Sequence, residues 1–164
     1  DLYSYLFGSV SAVSRTDLWV IFVISIVVVI TIILLYKELF LLSFDEEHAK
    51  ASGIAAKSIH FIFIIMVALV IAASMRIVGI MLVSSLMTLP VAASIRIAKG
   101  FKQTIFLSIL FGEISVLGGL FASYYLDLAP GGTIVMIAVA ILVFTIGYKK
   151  LVIKTQISQG GAAG

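Results

Sequence analysis

Leu18-Trp-Val-Ile-Phe-Val-Ile-Ser-Ile-Val-Val-Val-Ile-Thr-Ile-Ile-Leu-Leu-Tyr36 carries no charge anywhere along its length. β-Branched residues dominate it, and in water they are mediocre helix formers. In hydrocarbon the balance changes, because an unpaired backbone N–H or C=O costs several kcal/mol and a helix closes both within one segment. The run is also close to the ~20 residues needed to cross a bilayer core. Four more apolar stretches follow, Ser58 to Met75, Ile77 to Ile95, Thr104 to Tyr125 and Thr133 to Tyr148, with Glu113 the one Asp, Glu, Lys or Arg side chain among them. The predicted fold class is therefore an all-α integral membrane protein with about five transmembrane helices.

Composition agrees. Apolar residues make up 62% of the 164 residues and charged residues 12%, against ~25% charged in soluble domains. Residues 1–150 are predicted to form one membrane domain. Residues 151–164, ending in Gln159-Gly-Gly-Ala-Ala-Gly164, read as a disordered tail. No internal repeat is present. Cys is absent, which excludes disulfides and thiolate metal sites. The segment Asp1 to Asp17 reads as a short helix or re-entrant piece at the membrane surface. The chain opens at Asp1 without the basic and apolar regions of a signal peptide, so a piece of a longer protein is expected.

Orientation follows from the cations. Lys37, Lys50, Lys57, Arg96, Lys99, Lys102, Lys149, Lys150 and Lys154 fall on one side, and Arg15 and Arg76 on the other. Cytoplasmic loops carry the excess of Lys and Arg, so Asp1 is expected outside and Gly164 inside. Trp19, Tyr124 and Tyr125 then lie near the outer interface, with Tyr36 and Tyr148 near the inner one.

The long interruption, Ser43 to Lys57, is predicted to hold a short cytoplasmic helix from Phe44 to Ser52. Ser43 and Glu46 have the spacing of a capping box. Asp45, Glu46 and Glu47 would place negative charge on the positive end of the helix dipole. Gly53 suits the left-handed residue that ends a helix, and Phe44 is the main apolar anchor. Locally, this is either a solvated loop helix or a docking element.

Ser108, Gly112, Ser115, Gly119 and Ala122 share one face of the fourth span, as small residues do where helices approach closely in lipid. Their partner is either a helix of the same chain or a second subunit. In the third span Pro90 cannot donate to the Leu86 carbonyl and is expected to kink the helix. Nearby hydroxyls, Ser85 and Thr88 among them, could satisfy the freed backbone groups. Such a helix suits the wall of a polar pathway and also occurs in plain bundles. Glu113 is the ionisable group nearest mid-membrane, and it is either a functional or a structural carboxylate that must face protein or water. Asp127 is an outer-surface contact or a turn residue. His48 and His60 have no neighbouring His or Cys, so no zinc site is encoded and no metal ligand is assigned. No phosphate loop, nucleophile elbow or catalytic carboxylate pair is present. The dispersed cations suit membrane lipid and not nucleic acid.

Four segments together resemble the metal-ion permeases of ABC importers. They are Tyr5-Leu-Phe-Gly-Ser-Val-Ser-Ala-Val-Ser14, followed by Asp17-Leu18; Phe44-Asp-Glu-Glu-His-Ala-Lys-Ala-Ser-Gly53; Val78-Gly-Ile-Met-Leu-Val-Ser-Ser-Leu-Met-Thr-Leu-Pro-Val-Ala-Ala93; and Asp127-Leu-Ala-Pro-Gly-Gly-Thr-Ile-Val135. Their order and spacing both fit, and the resemblance covers nearly the whole chain except the tail. It implies the C-terminal part of a permease with a fold like that of the vitamin B12 importer, working as a homodimer in a prokaryotic plasma membrane. It implies transport of zinc, manganese or iron as cargo, with no cofactor bound by this chain and no catalysis in it. ATP would be bound by a separate ATP-binding cassette subunit beneath Phe44 to Gly53, and an extracytoplasmic metal-binding protein would deliver the ion. His48 and Ala51-Ser52 depart from the family's pattern in the coupling segment. The alternative function is a non-transporting membrane scaffold or assembly protein. A secondary carrier would offer repeated broken helices, and a membrane enzyme a catalytic cluster.

Overall fold

The computed structural model describes residues 13–160 apart from Asp45 and Ile54. In chain order it contains α1 (Arg15–Leu34), α2 (Tyr36–Phe44), α3 (Glu46–Ala51), α4 (Ala56–Val78), α5 (Ile80–Ile97), α6 (Phe101–Leu126) and α7 (Pro130–Gly160). Five of these, α1, α4, α5, α6 and α7, are long and apolar enough to cross a membrane. The chain divides between Ile77 and Val78 into two compact units.

In the first unit, α1 starts from a capping box. The Asp17 N–H donates to the Ser14 hydroxyl at 3.2 Å, and the Asp17 carboxylate accepts from the Ser14 N–H at 3.3 Å and its hydroxyl at 2.9 Å. Two of the orphan groups at a helix start are thereby satisfied just before the apolar run. α1 ends at Leu34, where the Thr31 hydroxyl bonds back to the Val27 carbonyl at 2.7 Å. Such back-bonding often bends helices. After Leu35 the chain resumes helix as α2. No residue of α1 is buried, and Trp19, Phe22 and Leu34 are each more than half exposed, as befits side chains whose solvent is lipid.

The second unit is a set of three helices, α5, α6 and α7, each packed against the other two, with successive helices antiparallel. Its first helix, α5, follows Gly79, whose φ of +80° interrupts the helix. The third span was expected from Ile77; instead Ile77 and Val78 complete α4, because the backbone at Gly79 adopts a conformation that only glycine takes cheaply. At the far end Asp127 takes a left-handed conformation (φ 56°), and the Ser123 hydroxyl donates to the Leu128 carbonyl at 2.5 Å.

Small and hydroxyl-bearing residues fill the middle of this unit. Ala93, Ser94, Ser115 and Thr145 are all at or below 1% exposure. Lipid gives apolar helices no hydrophobic reason to associate, so packing depends on close backbone approach. Gly119 shows this: a Cβ there would strike the Ile134 Cγ1, and would lie 2.6 Å from the Ile134 Cα and 2.9 Å from its nitrogen.

The predicted disordered tail is corrected. α7 continues as helix to Gly160. No glycine or proline occurs from Tyr148 to Gln159, and extending a formed helix is far easier than starting one. Residues 161–164 lie outside the described residues. At 1.5 Å per residue α7 is roughly 46 Å long, well beyond the ~30 Å hydrocarbon core.

Gly119→Ala should force α6 and α7 apart and cost about 1–3 kcal/mol. Gly118→Ala should be tolerated, since its Cβ would sit 3.4 Å from the flexible Ile137 Cδ1. Thermal unfolding of the two variants in detergent checks the contrast.

Candidate functional site

The polar interruption takes a different form from the one predicted. Ser43 is not an N-cap: it lies inside α2, and its hydroxyl donates to the Leu39 carbonyl at 2.8 Å. Helix continues through Tyr36–Phe44 because Lys37-Glu-Leu-Phe-Leu-Leu42 contains no breaker, and the hydroxyl finds a carbonyl one turn back in place of an N–H ahead. The short helix is α3, Glu46–Ala51, preceded by Phe44 as the last residue of α2. Asp45 lies outside the described residues, and so do the side chains of Phe44 and Glu46. Glu47 is exposed. The closing turn forms as the sequence implied: Gly53 has φ +80°, its N–H donates to the Lys50 carbonyl at 3.2 Å, and the Ser52 N–H donates to the His48 carbonyl at 2.9 Å. The segment therefore presents two short helices between α1 and α4, ending on a glycine that turns the chain.

The small-residue face of α6 is turned toward its own unit. The Ser108 hydroxyl lies 2.6 Å from that of Ser94 and 2.7 Å from the Thr104 carbonyl, while Ser94 lies 2.9 Å from the Val91 carbonyl. Each serine has one proton to donate, so two hydroxyl hydrogens share these three contacts and make two of them at a time. A Cβ at Gly112 would stand 4.0 Å from the Pro90 ring, an ordinary van der Waals contact, so Gly112 lies against the proline. Ser115 is fully buried and donates to the Phe111 carbonyl at 2.7 Å. The row ends at Ser123, which is 7% exposed, whereas Ala122 is only half-buried. Spacing of four from Gly119 was the signal for Ser123.

Pro90 and the hydroxyls of Ser85 and Thr88 do not share a face. Pro90 is buried toward α6, while Thr88 is exposed about 160° round the helix. The hydroxyls also do not serve the Leu86 carbonyl that proline frees. Ser85 donates to the Met81 carbonyl at 2.8 Å and Thr88 to the Ser84 carbonyl at 2.9 Å. With their protons engaged, both oxygens offer lone pairs outward.

Glu113 sits midway along α6 and is exposed. It points about 160° away from Ser115, into a face that includes Phe106, Leu117 and Tyr124, all more than half exposed. Among the described residues no three His, Cys, Asp or Glu come together as a metal site.

Helices of this length and polarity define a multi-pass membrane protein. The model of the ABC 3 transport family matches residues 1–149, and the chain belongs to that family. It is 42% identical over 146 residues to a probable metal transport system membrane protein of Treponema pallidum, which covers 89% of this chain and 55% of the relative. It is 39% identical to the manganese transport system membrane protein MntC of Halalkalibacterium halodurans, over 84% of this chain and 47% of the relative. It is 34% identical to the high-affinity zinc uptake system membrane protein ZnuB of Haemophilus influenzae, over 89% and 56%. The fold is similar to PsaBC from Streptococcus pneumoniae, solved in complex with Fab, at a TM-score of 0.82 and 32% identity, covering 88% of this chain and 52% of that one. The chain thus spans about half the length of the curated relatives it matches.

Gly53→Ala should destabilise the turn after α3 by about 1–2 kcal/mol, since L-residues pay that much in the left-handed region. Nothing lies within 4 Å of the added Cβ, so the cost is one of backbone conformation alone. Faster amide hydrogen exchange across residues 46–53, with α1 and α4 unchanged, is the expected result.

Proposed function

We propose that this chain is part of a permease subunit of an ATP-driven importer of a divalent metal ion: zinc, manganese or iron. The observation that carries the reading is the family match over residues 1–149, together with relatives whose names specify metal transport membrane proteins. Residues 1–150 act as one membrane domain. The metal ion is cargo, and ATP is hydrolysed in a separate ATP-binding cassette subunit. An extracytoplasmic metal-binding protein presents the ion, and two permease copies enclose the pathway.

The segment from Phe44 to Gly53 is the docking element for the ATP-binding subunit. Its support is the glycine-terminated α3, with Glu47, His48, Lys50 and Ala51 exposed, set in the chain between α2 and the apolar α4. Phe44 supplies the apolar anchor, which dominates affinity, while Asp45, Glu46 and Glu47 meet cationic rim groups that set orientation and encounter rate. Closure of the paired ATP-binding subunits then moves α2 and α3, and through them α1 and α4. In this orientation Gly164 is cytoplasmic and Asp1 outside, as the excess of Lys and Arg on one side supports.

Glu113 belongs to the polar route or to the protein face beside it. A charged carboxylate held against lipid at mid-span would cost about 2.5–3.5 kcal/mol, so a polar surrounding is required. The lone pairs of Ser85 and Thr88 are further candidates to line the route, while Pro90 shapes α5 against α6.

Two substitutions test the assignment in proteoliposomes holding the whole importer. Phe44→Ala should abolish metal uptake while insertion and ATP hydrolysis persist, and normal uptake would overturn the docking role. Glu113→Gln should lower uptake several-fold with an unchanged amount of folded protein. A variant that fails to accumulate in the membrane would make Glu113 structural instead.

A further inference from the structure

Packing of α5, α6 and α7 gathers cations that the sequence scatters. Ser94 meets Ser108 and Pro90 faces Gly112, so positions level with one another on α5 and α6 have numbers totalling 202. Gly119 meets Ile134 and Gly118 meets Ile137, so on α6 and α7 the total is close to 254. By this register Arg96 is level with Phe106, Lys99 with Gln103, and Lys149 and Lys150 with Ile105 and Thr104. Lys154 falls level with Gly100, and Lys102 is on α6 itself. The six cations occupy a band about six residues deep, or roughly 9 Å at the helical rise. All six are exposed. The only carboxylates in residues 78–160 are Glu113 and Asp127. Glu113 lies about two turns above the band and Asp127 at the opposite end.

A band this shallow matches the polar layer of one leaflet, which is roughly 5–8 Å deep. Its charge is of one sign, and α7 passes through it carrying three of the six cations. Clusters of Lys and Arg beside the end of a membrane helix attract anionic headgroups. We propose that this end of the α5–α6–α7 unit is a binding surface for anionic phospholipid, with Lys149, Lys150 and Lys154 on α7 and Arg96, Lys99 and Lys102 at the α5–α6 turn gripping the headgroup phosphates.

The test uses the whole permease in neutral detergent, titrated with phosphatidylglycerol or with phosphatidylcholine of the same acyl chains, and reads thermal stabilisation. Phosphatidylglycerol should act at a concentration about tenfold lower, with the gap narrowing in added salt. Lys149→Gln/Lys150→Gln/Lys154→Gln should erase most of the difference, and the matching Lys→Arg triple should retain it. Equal titration by the two lipids would overturn the proposal, as would a preference that survives the glutamine substitutions. If the glutamine triple keeps its lipid preference but no longer co-purifies with the ATP-binding subunit, the band is a protein dock and the proposal fails.

Discussion

In hydrocarbon a polar group has no water to fall back on, and the rest of this structure depends on that constraint. It turns β-branched runs such as Val27-Val-Val-Ile30 into helix against their preference in water. It also disciplines the hydroxyls. Thr31, Ser85, Thr88, Ser115 and Thr145 each donate to a carbonyl three or four residues back along their own helix. Among the described residues no buried side-chain nitrogen or oxygen is left without a partner. Serine and threonine can therefore be spent in the core as small residues without the usual cost of burying a hydroxyl.

Close approach follows from the same constraint. Where lipid is as apolar as leucine, dispersion between tightly packed backbones holds helices together. Gly119 lets the main chain of α7 come almost onto α6, and the Pro90 ring packs toward Gly112. The proline that limits hydrogen bonding in α5 is thus also a packing element. The large side chains of the same helices, Phe106, Leu117 and Phe121 among them, are left on the outside, an inversion of the arrangement in a soluble bundle.

The site shows what distance along the chain hides. The Ser43–Glu46 spacing is that of a capping box, yet the box that forms is Ser14–Asp17, at the entrance to the first apolar run. Both have the pattern; Ser43 already lies inside α2, whereas Ser14 stands directly before the first residue of α1. Asp45 and the side chain of Phe44 lie outside the described residues, and the proposed docking role draws on the resemblance of Phe44 to Gly53 to the family's coupling segment and on the exposure of Glu47, His48, Lys50 and Ala51. Pro90, Ser85 and Thr88 are near neighbours in sequence but separate round the helix, one face to protein and the other outward.

By itself the sequence determined the class of the protein, its five apolar helices, the turn at Gly53 and the family. Apolar length, charge placement and glycine conformations are local quantities, and local quantities can be read from a string. Tertiary structure decided the rest. It determined that the small-residue face of α6 packs within its own unit, that Ser123 completes that face and that Glu113 stands opposite it. It also decided that α7 runs on to Gly160. These depend on which backbone a given residue meets, as Gly119 meets Ile134, and that meeting is set by the register of helices far apart in the chain.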